Sequence, residues 1–297
     1  MSWVGHKITE YLMHRRTLFS VALSLACALS LLAACTRVET PKVTPVTVRL
    51  RIASDSAALP LLQALTSAYT TEHPNVVFGM QSGDAQTVAN LVFAGQVDLA
   101  AVSILPPDAP DRPKPWVADL AMDGVAIIVN PANPVNSLSL QELRDIYAGA
   151  HNSWSDFGVT GLNDMQVAVR EEGDGTRATF DSLVMGGQSL TSNAVLLPTV
   201  EVAMNFVSLQ ANAIAYVPSG RITGTVASKV KILSINGQQP TPANLTSGAY
   251  PLSRMLNLLA PSEPQGDLRL FVAWALGHAG QRVASNLNYV PAAQLPN

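Results

Sequence analysis

The feature that most narrows the fold is the alternation of strand and helix signals between Val46 and Ile104. Val46 to Ala53 alternates apolar and polar residues, the period of a half-buried strand. Ala57 to Glu72 then changes to helical spacing, with Leu59, Leu62, Leu65, Ala68 and Tyr69 recurring on one face. Asn75 to Met80 reads as a second strand, Ala85 to Ala94 as a second helix, and Val97 to Ile104 as a short buried strand. Parallel neighbours need a crossover, so a β-α-β-α-β order predicts a largely parallel sheet covered by helices.

The same grammar continues after a proline-rich loop at residues 106–115. Strands are expected at 124–130, 167–170, 213–217, 230–235 and 255–260. Helices are expected from the capping box at Ser139 and Glu142 through Tyr147, from Thr176 to about Met185, at 201–210, and at 267–288 with a break near Gly277 to Gly280. The length, 297 residues, suits about two domains. The economical reading is an α/β fold of two lobes, with the strands at 124–130 and 255–260 carrying the crossovers between them. The expected boundaries are 47–125 with 248–297 for the first lobe and 126–247 for the second.

The first 35 residues read as an address. Arg15 and Arg16 form a positive segment, Thr17 to Ala34 is an uncharged and mostly apolar run, and small residues close it. Leu32, Ala33, Ala34 and Cys35 resemble a bacterial lipobox, a pattern that implies cleavage before Cys35 and lipidation of that cysteine. An uncleaved membrane anchor is the competing reading, although the 18-residue run falls short of the ~20 that span a bilayer. Residues 36–46, rich in Pro and Thr, read as a tether. Removing residues 1–35 leaves 15 basic against 20 acidic residues. That acidic balance, without a Lys/Arg cluster, argues against nucleic acid as a partner. Cys27 and Cys35 are the only cysteines, so the body carries neither a disulfide framework nor a cysteine zinc site. The five histidines show no metal-ligand spacing, and no cofactor is expected.

Three places share one physical logic. Ser54-Asp55-Ser56-Ala57, Gln81-Ser82-Gly83-Asp84 and Arg170 through Asp174-Gly175-Thr176 each end a strand and open a helix. Unpaired N–H groups at a helix start suit an anion, and ligands of open α/β sheets bind beyond the carboxyl ends of the strands. The plainer reading is that Ser, Asp and Gly at these places are ordinary caps and turns. Three such loops, if they converge, would make a site for a small oxyanion.

Several stretches, in order, resemble the phosphate-binding lipoproteins of bacterial phosphate ABC importers, within the type II periplasmic-binding-protein superfamily. They are Gly95 to Ser103, Leu138 to Tyr147 with Trp154, Arg170 to Arg177, Ala213 to Val217, Tyr250 to Arg254, and Gly280-Gln281 with Tyr289 to Pro291. The resemblance implies that Ser56 and Ser82 offer hydroxyls, Ala57 a backbone N–H, Arg170 a charged partner, and Gly175 and Thr176 further N–H groups and a hydroxyl. Ser103 falls where relatives place an aspartate nearby. Two departures stand out. Asp174 replaces the serine of a usual Gly-Ser-Gly-Thr loop, and Asp55 stands in the first loop. One carboxylate that accepts the proton of a phosphate would favour phosphate over sulfate, so Asp174 or Asp55 is expected in that role. An outward-facing Asp174, or a cationic or hydroxyl-rich ligand, is the alternative.

The function expected is therefore a monomeric binding protein, extracytoplasmic and lipid-anchored to the cell membrane. It captures phosphate or a similar oxyanion between its lobes and delivers it to a permease. A non-transport sensor or scaffold is a second class. A secreted phosphatase or esterase is a third, disfavoured because no histidine lies near the candidate serines to serve as a base. Asp98 is expected to be a buried cap, and Trp154 a packing residue.

Overall fold

The computed structural model describes residues 46–111, 113–162 and 164–292. The leader, Cys35 and residues 36–45 of the tether lie outside them. Strands β1 (Val48–Asp55), β2 (Val76–Gly83) and β3 (Leu99–Val102) are parallel, with Asp55 opposite Gly83 and Ile52 opposite Leu99. Helices α1 (Leu59–Glu72) and α2 (Ala85–Phe93) make the crossovers. Pro60 sits in the first turn of α1, where a missing N–H has no helical partner to lose. Asp84 caps α2 by accepting from the Thr87 amide at 2.8 Å. These starts set the loops after β1 and β2 on the carboxyl edge of the sheet. Asp98 is a partner of β1 rather than a cap: it takes hydrogen bonds from the Arg51 amide at 2.8 Å and from its guanidinium.

Strand β4 (Trp116–Val129) starts well before the apolar run that signals it. Its first residues alternate in burial, so only the later, fully buried half stands out by hydrophobicity. Beyond it lie β5 (Ser137–Leu138) and helix α3 (Leu140–Ala148), which opens with the full capping box of Ser139 and Glu142. Then come β6 (Gln166–Arg170), helix α4 (Gly175–Phe180), β7 (Val195–Leu197), helix α5 (Val200–Leu209) and β8 (Ala213–Pro218). Helix α4 runs on through a π-helical turn to Met185. The stretch 230–235 is not one strand. It is β9 (Lys231–Ile232), paired with β4, and β10 (Ser234–Ile235), paired with β5. Buried Leu233 sits at the change of partner, where its amide bonds Ile127 O at 2.8 Å. The short helices α6 (Gly224–Ala227) and α7 (Pro242–Thr246) precede β11 (Ser253–Ala260), α8 (Gly266–Leu276), α9 (His278–Asn286) and β12 (Val290–Pro291). The helical break falls at Gly277, as expected.

The strand order is β2-β1-β3-β11-β4-β8-β6-β7. Strand β4 serves both halves: its residues from Trp116 to Gly124 pair with β11, and Val125–Val129 pair with β8. Two lobes result, each with its own core. One gathers Leu50, Ile52, Leu61, Leu65, Leu120, Leu256 and Phe271. The other gathers Ile127, Leu143, Tyr147, Trp154, Phe180 and Tyr216. Trp154 is fully buried and donates its indole N–H to Asn212 O at 2.8 Å, so it is a packing residue. Among the described residues no helix is long and apolar enough to cross a membrane.

Candidate functional site

The loop after β1 and the start of α4 meet across the lobes, and Ser56 is the link. Its hydroxyl accepts from the Gly175 amide at 2.8 Å and donates to Asp174 Oδ2 at 3.0 Å. The same Oδ2 accepts from Arg170 Nη2 at 3.0 Å. Asp174 Oδ1 caps α4 by accepting from the Thr176 and Arg177 amides, each at 3.0 Å. Arg170 ends β6, and burial leaves it 8% exposed. Four contacts fix it: Nη1 on Leu197 O at 2.9 Å, Nη2 on Asp174, its amide on the Tyr216 hydroxyl at 3.1 Å, and its carbonyl accepting from Arg177 Nη1 at 2.8 Å. Tyr216 is stacked on Phe180 with ring centroids 4.2 Å apart, and burial pushes its phenol well above the ordinary tyrosine range. It therefore stays neutral and acts as a fixed acceptor. Arg170 Nε is buried without a hydrogen-bond partner.

A second buried carboxylate lies in the first lobe. Asp55 is fully buried at the end of β1. Its Oδ1 accepts from the Ala57 and Ala58 amides at 3.1 and 2.9 Å, and its Oδ2 from Ser103 N and Oγ at 2.6 and 2.7 Å. Each aspartate thus receives four hydrogen bonds, about the capacity of a carboxylate. This geometry changes the expectation for both. Neither retains a free lone pair to accept the proton of a phosphate; each is filled by donors of the protein itself. Asp174 also points inward, not out as a turn residue would.

Residues Ser56, Ala57, Ser103, Arg170, Asp174, Gly175 and Thr176 are therefore brought together. Ser82 is exposed and stands apart from this bonded cluster. Its loop approaches the second lobe at Asp84, whose Cβ would lie 3.3 Å from a Cβ added at Gly173. Beside it opens a cleft of about 560 Å³, lined by Asp84, Gln86, Ile104, Leu105, Pro106 and Glu172 among others.

Sequence reasoning gave Arg254 no role. On β11 it lies opposite Asp123 of β4, and Nη2 meets Asp123 Oδ2 at 2.7 Å. Asp123 is fully buried and its other oxygen accepts from Ser219 Oγ at 3.1 Å. Arg254 Nη1 lies 3.3 Å from Thr176 Oγ1 and 3.4 Å from both Gly175 O and Thr179 Oγ1. This pair joins the strand crossing to the start of α4. The residues are 131 apart in sequence, so no local pattern signals their meeting.

Gly175 is the tightest point of the lobe contact. A Cβ there would sit 2.8 Å from Ala57 Cβ and 2.9 Å from Ser103 Oγ. Its backbone is ordinary helix, so alanine is acceptable locally and only the contact is at stake. Gly175→Ala is expected to speed hydrogen exchange at the residue-175 amide, which donates to Ser56 across the lobes, at least ten-fold. The melting temperature should stay within about 3 °C, the shift that roughly 1 kcal/mol causes in a chain of this size. Unchanged exchange would mean that the lobes accommodate the methyl group.

The family described as PBP superfamily domain matches residues 39–278. The chain belongs to the PBP superfamily. Among PBP relatives, the phosphate-binding protein PstS of Bacillus subtilis is 24% identical over 247 residues, covering 82% of this chain and 80% of that one. An ABC-type phosphate transport receptor from Vibrio cholerae has the same PBP architecture, with a TM-score of 0.73 and 24% identity over 81% of this chain and 99% of its own. A substrate-binding protein from Clostridium perfringens, solved with phosphate bound, also reaches a TM-score of 0.73, at 22% identity over 82% of this chain and 99% of that one. At these identities the solved structures speak to the PBP fold.

Proposed function

We propose that this chain is an extracytoplasmic binding protein that captures phosphate between its lobes and delivers it to an ABC importer. The observation that carries the reading is the convergence of Arg170, Ser56 and the amides opening α4 on one anionic group at the lobe interface. A site that already holds a carboxylate with a guanidinium, a hydroxyl and two amides has the donor set that a small oxyanion requires. The names of the relatives support phosphate as that oxyanion.

Binding works by differential contact. An anion touching Ser56 from one lobe and Arg170 from the other stabilises the apposed state over the separated one. The two lobes are taken as 47–125 with 248–297, and 126–247. No covalent step is required, and no residue is assigned a catalytic role. Lipidation at Cys35 would hold the body beside the permease, and the tether would give it reach.

Isothermal titration with phosphate, arsenate and sulfate at neutral pH tests this reading. Phosphate and arsenate, which share shape and protonation, are expected to bind with similar affinity. Silence to all three from folded protein would overturn phosphate capture by this chain. A second reading, a sensor or binder of a larger ligand, is favoured by the cleft of about 560 Å³, which is far larger than an inorganic oxyanion and carries Asp84 and Glu172 on its wall. Stabilisation by organic cations but not by phosphate would select it.

A further inference from the structure

We infer that the Asp174 carboxylate is a built-in counter-anion, which latches the two lobes together and competes with phosphate for its own site. The inference rests on the oxyanion reading above and asks what the chain has added to it. Four donors converge on Asp174: the Ser56 hydroxyl, Arg170 Nη2, and the Thr176 and Arg177 amides. The donor expected from the first lobe, Ser56, and the charge expected from the second, Arg170, are thus engaged by one side chain. The Asp174 side chain is itself 9% exposed, so this is an interior contact.

The contact crosses the lobes. Ser56 belongs with β1, whereas Asp174 and Gly175 belong with β6 and α4. The serine hydroxyl accepts from one of these residues and donates to the other, so the carboxylate does what a bound anion does: it supplies negative charge that holds donors of both lobes. Asp55 reinforces the effect. It engages the Ala57 amide and both donors of Ser103, leaving the first lobe little to offer an incoming ligand.

Electrostatics then oppose a second anion. Arg170 is matched by Asp174, so the pair has no net positive charge to offer. A phosphate dianion placed among them meets like charge at short range, where screening is weak. Entry requires Asp174 to turn away and hand its donors to the ligand. Arg170 Nε, buried and unpartnered, is the donor through which that exchange can begin.

The test compares the unsubstituted protein with Asp174→Ser and Ser56→Ala, by phosphate titration and by hydrogen exchange of segments 55–58 and 174–177. Asp174→Ser restores the hydroxyl that the resemblance expects in this loop and removes the competitor. It is expected to bind phosphate at least ten-fold more tightly than the parent. Without phosphate, its two segments should exchange at least ten-fold faster, and phosphate should restore their protection. The parent should show slow exchange in both segments with phosphate or without it. Ser56→Ala keeps the Arg170–Asp174 pair, and so the folded second lobe, but cuts the crossing; both segments should exchange faster in it. Fast exchange in the phosphate-free parent, or parent-like affinity in Asp174→Ser, would overturn the latch while leaving phosphate capture intact. Silence of every variant to phosphate would instead overturn the oxyanion reading, and the competition with it.

Discussion

Replacing Asp123 with alanine should lower the unfolding free energy by about 3–5 kcal/mol, the usual cost of removing one partner from a buried ion pair. The carboxylate is fully buried, and Arg254 is 5% exposed. Once Asp123 is gone, the guanidinium keeps only three contacts at 3.3–3.4 Å, to a carbonyl and two hydroxyls. None carries a charge, and Arg254 Nε has no partner even in the intact protein. Asp123 also holds the Ser219 hydroxyl, so two donors lose their acceptor together. The expected drop in melting temperature is on the order of 10 °C. Denaturant unfolding of Asp123→Ala, Arg254→Met and the double variant checks the cause. The double variant should recover part of the loss, because no charge is left stranded. A single-variant loss below about 1 kcal/mol would mean that water reaches Arg254 and the pair is dispensable.

Arg170→Ala should abolish measurable phosphate binding, with a loss of at least a hundred-fold. Arg170 supplies the cation at the site, and hydrogen bonds to a charged group are worth about 1.5–3 kcal/mol each. The substitution also leaves Asp174 without its ion-pair partner. Arg170→Lys is not expected to rescue binding. A single ammonium cannot reproduce the planar fork that reaches Leu197 O and Asp174 at once. Titration gives the first readout and thermal unfolding the second. Phosphate affinity within ten-fold of the parent in Arg170→Ala would remove this residue from the binding machinery.

The parts of the fold that were legible in sequence are those specified locally. The β1-α1-β2-α2-β3 order follows from hydrophobic period, and helix α3 from the Ser139–Glu142 box, because each signal lies within a few residues of the element it sets. The first half of β4 was not legible, since its exposed positions dilute the apolar run. Strand β7 was not either: Val195 and Leu196 lie exposed on an edge, and three residues give too short a period to read. At the site, the loops holding Ser56, Arg170 and Asp174 announced themselves as helix starts. Their mutual bonds did not, because a carboxylate in an anion loop can cap, repel or substitute, and only its partners in space decide which. Arg254 and Asp123 belong to the same class of long-range facts.

The place of β11 in the sheet carries a consequence for how the chain assembles. This strand lies between β3 and β4, yet it is made more than a hundred residues after either. A chain emerging from its amino end holds every strand of the second lobe's sheet before the first lobe has its central one. The half of the molecule that begins the chain is therefore the half that finishes last. Until Ala260 arrives, β3 and β4 have no common neighbour, and the edges that β11 joins have no partner strand. A late-closing first lobe keeps the amino-terminal strands β1 to β3 without their central partner until most of the protein has been synthesised.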